Sequence, residues 1–146
     1  MFKHILLAAD GSDCSERATR IALELAQSNH AKLTVLYVID PYPFLGIASI
    51  NPQSFMTYVE AAQIHAAQVH EKVSTQARQD APDVVLDCVL LQDVAAATGI
   101  VDQAKVLHCD LIVIGSHGRS AMGRLMLGSV AHQVLNESSM AVLVAR

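Results

Sequence analysis

"DLIVIGSHGRSAMGRLMLGS", Asp110 to Ser129, holds the two features from which the architecture is read. Its first six residues are an almost unbroken apolar run closing on Gly115, the pattern of a strand buried on both faces. The rest is glycine-punctuated and basic, with Gly118, Gly123, Gly128, Arg119 and Arg124. It stops just before "VAHQVL", whose Val130, Val134 and Leu135 return at helical spacing, so a helix is expected from about Ser129 to Asn136. A buried strand that leads through a loop into a helix is half of a βαβ unit.

The same alternation extends along the chain. "HILLAA" (His4 to Ala9), "KLTVLYVI" (Lys32 to Ile39), "VVLDCVLL" (Val84 to Leu91) and "MAVLVA" (Met140 to Ala145) read as four more short apolar strands. Between them, a helix is expected from Asp13 or Cys14 to Ser28, with Ala18, Ile21, Ala22, Leu25 and Ala26 on one face and Ser12 or Asp13 as its cap. A longer one, from about Phe55 to Asp80, carries the stripe Phe55, Val59, Ala62, Ala66, Val69, Val73 and Ala77 and ends before Pro82. A short one runs from Gly99 to Leu107 and turns Ile100, Val101, Ala104 and Leu107 inward. Asp40 to Ser54, with Pro41, Pro43, Gly46 and Pro52, reads as an irregular excursion and a candidate lid. Strands alternating with helices imply a parallel sheet covered on both faces.

Composition agrees with that class. The 146 residues fit one domain. Hydrophobic residues make up 52% and aromatic ones only 4%, so Val, Leu, Ile, Ala and Met must build the core. A formal charge of −4 gives no extended basic track, which argues against nucleic acid as partner. Three cysteines, Cys14, Cys88 and Cys109, without a close pair or an apolar leader, point to reduced thiols in a cytoplasm. No run approaches the roughly 18 apolar residues of a membrane span.

Ligands of such sheets collect at the carboxyl ends of strands, where strand order reverses. Gly128-Ser129 stands where a helix begins, so free N–H groups and the Ser129 hydroxyl can meet an anion, with Arg119 and Arg124 adding charge. Ser129 as a plain helix cap is the alternative. A P-loop is excluded, because no lysine follows the closing glycine. Asp10 can accept from ribose hydroxyls or close an Asx turn over Gly11 and Ser12; Ala8 and Ala9 beside it leave room for a ring. His117, between two glycines, reads as a phosphate contact or a solvent-facing turn residue. His65 and His70 lie about 140° apart around a helix, a poor pair of metal ligands. His4, His30, His108 and His132 stand near element ends.

"ILLAADGSDCSERA", "LTVLYVI", "DLIVIGSHGRS", "LMLGSVAHQVL" and "AVLVAR" together resemble the universal stress protein family, in its single-domain, ATP-binding form. The most specific part is a pattern of glycine, two residues, glycine, nine residues, then glycine and serine, met by Gly115, Gly118, Gly128 and Ser129. The resemblance implies a Rossmann-like fold of the adenine nucleotide alpha hydrolase kind, a five-stranded parallel sheet in order 3-2-1-4-5 with helices on both faces. It implies ATP, or AMP or ADP, as ligand, with Mg²⁺ held by the phosphates or Asp13. The implied binding set is Ala9, Asp10, Val38, Gly115, Ser116, His117, Gly118, Arg119, Gly128, Ser129 and Val130. Val38 would offer its backbone to the adenine edge, and the three glycines would admit the phosphates. Homodimers through the strand Met140 to Ala145 are implied too. The function expected is a nucleotide-dependent switch acting on unidentified protein partners. A slow ATPase or phosphoryl-transfer enzyme and a nucleotide-free dimeric adaptor are the rivals.

Overall fold

The computed structural model describes residues 1–41, 52–118 and 126–146. The Pro41 to Pro52 excursion, apart from its first and last residues, and Arg119, Gly123 and Arg124 lie outside them. Along the chain run β1 (His4–Ala8), α1 (Asp13–Asn29), β2 (Lys32–Ile39), α2 (Pro52–Asp80), β3 (Leu86–Gln92), α3 (Ala96–Val106), β4 (Leu111–Gly115), α4 (Ser129–Glu137) and β5 (Ala141–Ala145). The five strands form one sheet in the order β3-β2-β1-β4-β5, and every neighbouring pair is parallel.

Strand alternation divides the core into two layers. Ile5, Leu7, Leu33, Val35, Tyr37, Leu111 and Val113 face α1 and α2. Leu6, Leu36, Ile112 and Ile114 point the opposite way, onto α3 and α4. Ala18, Ala22 and Ala26, one helical turn apart, let α1 lie close to the sheet. Ser12 is the N-cap of α1, accepting from the Ser15 N–H, and Asp13 and Glu16 occupy the first turn, where the helix dipole favours acids. His30, in left-handed conformation with φ 52°, closes the helix.

Departures from the expected pattern fall at edges and ends. β3 is an edge strand: Leu86 and Leu90 pack on one core layer and Val89 and Leu91 on the other, none of them fully covered, and Asp87 and Cys88, on opposite faces, are exposed instead of doubly buried. Phe55 does not join the buried stripe of α2. It is 47% exposed, because the first turns of that helix extend past the sheet and only Ala66, Val69, Val73 and Ala77 are fully covered. Leu135 is likewise 42% exposed, and α4 buries Ala131 and Val134 instead. Helix α3 begins at Ala96, one turn before the expected Gly99, and its first N–H donates to Asp40 Oδ1 at 3.1 Å. Strand β5 starts at Ala141; Met140 is tied to the Ser138 hydroxyl through its own backbone.

Gly115 ends β4 where α1 begins. A Cβ there would meet the carbonyl carbon and Cβ of Cys14 at 2.8 Å, so the absent side chain is what allows the first turn of α1 onto the strand end. Gly115→Ala is expected to cost about 1–3 kcal/mol by overpacking against backbone. Gly99→Ala should be milder, since it meets only side-chain methyls, of Val94 at 3.1 Å and Leu91 at 3.3 Å, rather than backbone, and gains helix propensity. Urea unfolding of the two variants checks the contrast.

Candidate functional site

Strand β1 lies between β2 and β4, and its connection leaves to one side while that of β4 leaves to the other. This is the switch point of the sheet, the position at which open parallel sheets form a crevice at the carboxyl ends of their strands. Three segments meet there: the β1–α1 turn, the residues after β4, and the start of α4.

The β1–α1 turn is held on every side. The Ala9 N–H donates to the Leu36 carbonyl at 3.0 Å, continuing the ladder one residue past β1. Asp10 then closes an Asx turn, its Oδ1 accepting from the Ser12 N–H at 2.9 Å and from the Ser12 hydroxyl at 2.6 Å. Its own N–H donates to Ser15 Oγ at 3.1 Å, and its carbonyl accepts from His65 Nε2 at 3.1 Å. Gly11 follows with φ +83°, in the left-handed region, and a Cβ on it would crowd His65 and Val69. The Asx turn therefore forms, yet it occupies only one carboxylate oxygen. No described residue donates to Oδ2, and the Gly118 backbone lies over it: a Cβ there would stand 3.0 Å away.

After β4, Ser116 is buried and fully used by the protein. Its N–H donates to the Ala145 carbonyl at 2.6 Å, its carbonyl accepts from the Gly128 N–H at 2.7 Å, and its hydroxyl bonds His117 Nδ1 at 3.0 Å. Cys14 Sγ lies 3.5 Å from that hydroxyl. His117 Nε2 is sealed from solvent and has no partner among the described residues.

The cap of α4 is Gly128, not Ser129, and no side chain caps this end. The first intrahelical bond runs from the His132 N–H to the Gly128 carbonyl. The N–H groups of Ser129, Val130 and Ala131 have no acceptor among the described residues, as a helix start leaves them. Gly128 sits so close to β4 that a Cβ would meet the Ser116 carbonyl oxygen at 2.9 Å and the His117 Cα at 3.2 Å. Val38 is half-buried near the end of β2, two residues past the last residue paired with β1. Residues two apart on a strand present their backbone to the same side, so Val38 turns its peptide groups toward the crevice just as Leu36 does toward Ala9.

Of the expected set, the structure thus gathers Ala9, Asp10, Val38, Ser116, His117, Gly118, Gly128, Ser129 and Val130 around this crevice. Gly115 instead makes room for α1, and Arg119 lies outside the described residues. Two contributors escaped the sequence reading: His65 was weighed only as a metal ligand, and Ser15 carried no signal beyond its place in a first turn. Among the described residues no group of three metal-ligating side chains forms, and no helix is long and apolar enough to cross a membrane. Burial, then the Asp110 charge, pushes the Cys109 thiol up to about 11, and burial raises Cys88.

The family model described as "Universal stress protein family" matches residues 1–146. The chain belongs to that family. A universal stress protein of Thermus aquaticus is 37% identical over 147 residues, covering all of both chains. Among solved structures, the universal stress protein UspA of Lactobacillus plantarum superposes with a TM-score of 0.82 at 27% identity, covering 99% of this chain and 97% of that one. Two more distant members were solved with ligands. One, in complex with cAMP, has a TM-score of 0.71 at 24% identity and covers 99% of this chain and 97% of its own. The other, from Archaeoglobus fulgidus in complex with dAMP, has a TM-score of 0.69 at 22% identity and covers 100% and 98%. The universal stress protein fold is therefore common to all three structures, and the crevice lies at its switch point.

Behind the crevice, Tyr37 is 1% exposed and meets the rings of His65 and His70 edge-on, at 5.7 and 6.4 Å. His70 Nε2 is buried without a partner among the described residues, and burial lowers the His70 pKa from its ordinary 6.5. The unfolded chain then takes up this proton before the folded one, so stability is expected to fall as pH drops below 6.5. Urea midpoints at pH 7.5 and 5.5 check this, and His70→Leu should flatten the difference.

Proposed function

We propose that the protein binds an adenine nucleotide, ATP foremost, at the β1–β4 crevice, and that its nucleotide state regulates contacts with other proteins. The observation that carries this reading is the pairing of opposite polarities in one place. Unpaired N–H donors at the start of α4 suit phosphate oxygens, while Asp10 Oδ2 suits a hydroxyl donor. The backbone of Val38 supplies the donor and acceptor pattern that an adenine edge requires. The cAMP and dAMP bound by the two distant relatives share adenine, a sugar and one phosphate, the elements these three positions would read. Where the phosphates bind, Mg²⁺ would complete their coordination, with Asp13, exposed in the first turn of α1, as a further oxygen ligand.

His117 favours one second reading, slow hydrolysis, because its Nε2 has no partner among the described residues and it belongs to the site. Turnover lost in His117→Gln with affinity retained would support it.

Protein denatured directly after purification is expected to release an adenine nucleotide, or the emptied protein to titrate with one. Gly118→Ala/Gly128→Ala should weaken that affinity at least about tenfold, because one new Cβ covers Asp10 Oδ2 and the other pushes α4 off the Ser116 carbonyl. No released nucleotide and no titration by ATP, ADP or AMP would remove the reading.

The outer edge of β5 lies at the end of the sheet with Val142, Leu143 and Val144 only half-buried. Such an edge invites pairing, and we place the homodimer contact there, β5 against β5 across a twofold axis. Sedimentation equilibrium at micromolar concentration should give twice the chain mass; a monomer would refute the contact.

A further inference from the structure

Asp10 has four polar atoms, and the protein itself satisfies three. The N–H is taken by Ser15 Oγ, the carbonyl by His65 Nε2, and Oδ1 by the Ser12 N–H and hydroxyl. Since a carbonyl can only accept, His65 must carry its hydrogen on Nε2. The ring that supplies it belongs to α2 and is fixed in turn by edge contact with Tyr37 of β2. Ser12 bonds both Asp10 and Ser15. Its hydroxyl gives its one proton to Asp10 Oδ1 at 2.6 Å and accepts from the Ser15 N–H at 3.3 Å, and the His117 carbonyl oxygen, 3.4 Å away, is the weaker alternative acceptor of that proton.

A carboxylate with both oxygens free rotates about χ2 and accepts from water, a cation or a sugar alike. One whose first oxygen is held by two donors and whose backbone is fixed at both ends presents a single acceptor in a single direction. Here that acceptor is Oδ2, beneath the side-chain-free Cα of Gly118. A fixed, negatively charged acceptor attracts a hydroxyl and repels a phosphate, so it also sets which end of the ligand lies beside β1.

Resting on the nucleotide reading above, we propose that Ser12 and His65 are positioning residues that hold Asp10 in this one-oxygen presentation, and that the site thereby selects a ligand bearing a sugar hydroxyl. Selectivity for the sugar then depends on α2, an element with no group of its own in the expected binding set.

The experiment compares ATP with 2′,3′-dideoxy-ATP by calorimetric titration of the full chain, for wild type, Ser12→Ala, His65→Leu and His65→Gln, each below its own unfolding midpoint. Wild type is expected to prefer the ribose ligand by about tenfold, the size of one hydrogen bond to a charged group. Ser12→Ala and His65→Leu should bring the preference to within about threefold of unity. His65→Gln, whose side-chain amide can still donate to the Asp10 carbonyl, should retain it. A general loss of affinity with an unchanged ratio in Ser12→Ala and His65→Leu would show a merely structural role and overturn the inference. So would equal wild-type affinity for the two ligands, which leaves nucleotide binding standing. Wild type binding neither ligand would instead refute the nucleotide reading itself, and this inference with it. If His65→Leu does not fold, Ser12→Ala decides, because it keeps the α2 packing.

Discussion

The hydrogen bond from the Gly128 N–H to the Ser116 carbonyl, 2.7 Å long, fixes the start of α4 against the end of β4. Without it the donors at the head of that helix would have no defined relation to the β1–α1 turn. The bond requires an approach so close that no side chain fits on Gly128. Ser116 is held in place from its other side by the Ala145 carbonyl of β5. The end of the sheet, Ser116 and the start of the helix are thus parts of one bonded unit, and the ladder of β5 contributes to the shape of a crevice it does not line.

The crevice is polarised. At α4 the backbone offers donors with the positive end of a helix dipole behind them; at Asp10 a carboxylate offers an acceptor. Each feature by itself is commonplace, since every helix start has spare donors and many strand ends carry an Asx turn. Their convergence at the point where the strand order reverses gives them meaning for function. Glycines enforce it by different means: Gly11 by its positive φ, and Gly118 and Gly128 by leaving space beside an acceptor oxygen.

Much of this was legible beforehand because period and punctuation are local. β2 begins and ends where its β-branched run does, and α1 starts at the residue after its serine cap. The spacing of Gly115, Gly118 and Gly128 singled out the close approaches at the two ends of this loop. It did not reveal that the three glycines face different neighbours, namely Cys14, Asp10 and Ser116. Phe55 and Leu135 were misplaced for a related reason: a helical stripe shows which residues share a face, but not how far the opposing sheet reaches. His65 was unreadable as a partner of Asp10, because fifty-five positions separate them and no motif joins them.

The order of apolar runs and breakers by itself determined a parallel, doubly covered sheet, since short strands alternating with amphipathic helices bury their surfaces in few other ways. It also determined which chain segments leave the carboxyl ends of the strands. Only the tertiary structure decided which atoms remain available there. Hydrogen bonds between distant segments consume Ser116 and three of the four polar atoms of Asp10, and leave Oδ2 and the first amides of α4 free among the described residues. That allocation depends on how separated segments pack, and local spacing carries no record of it.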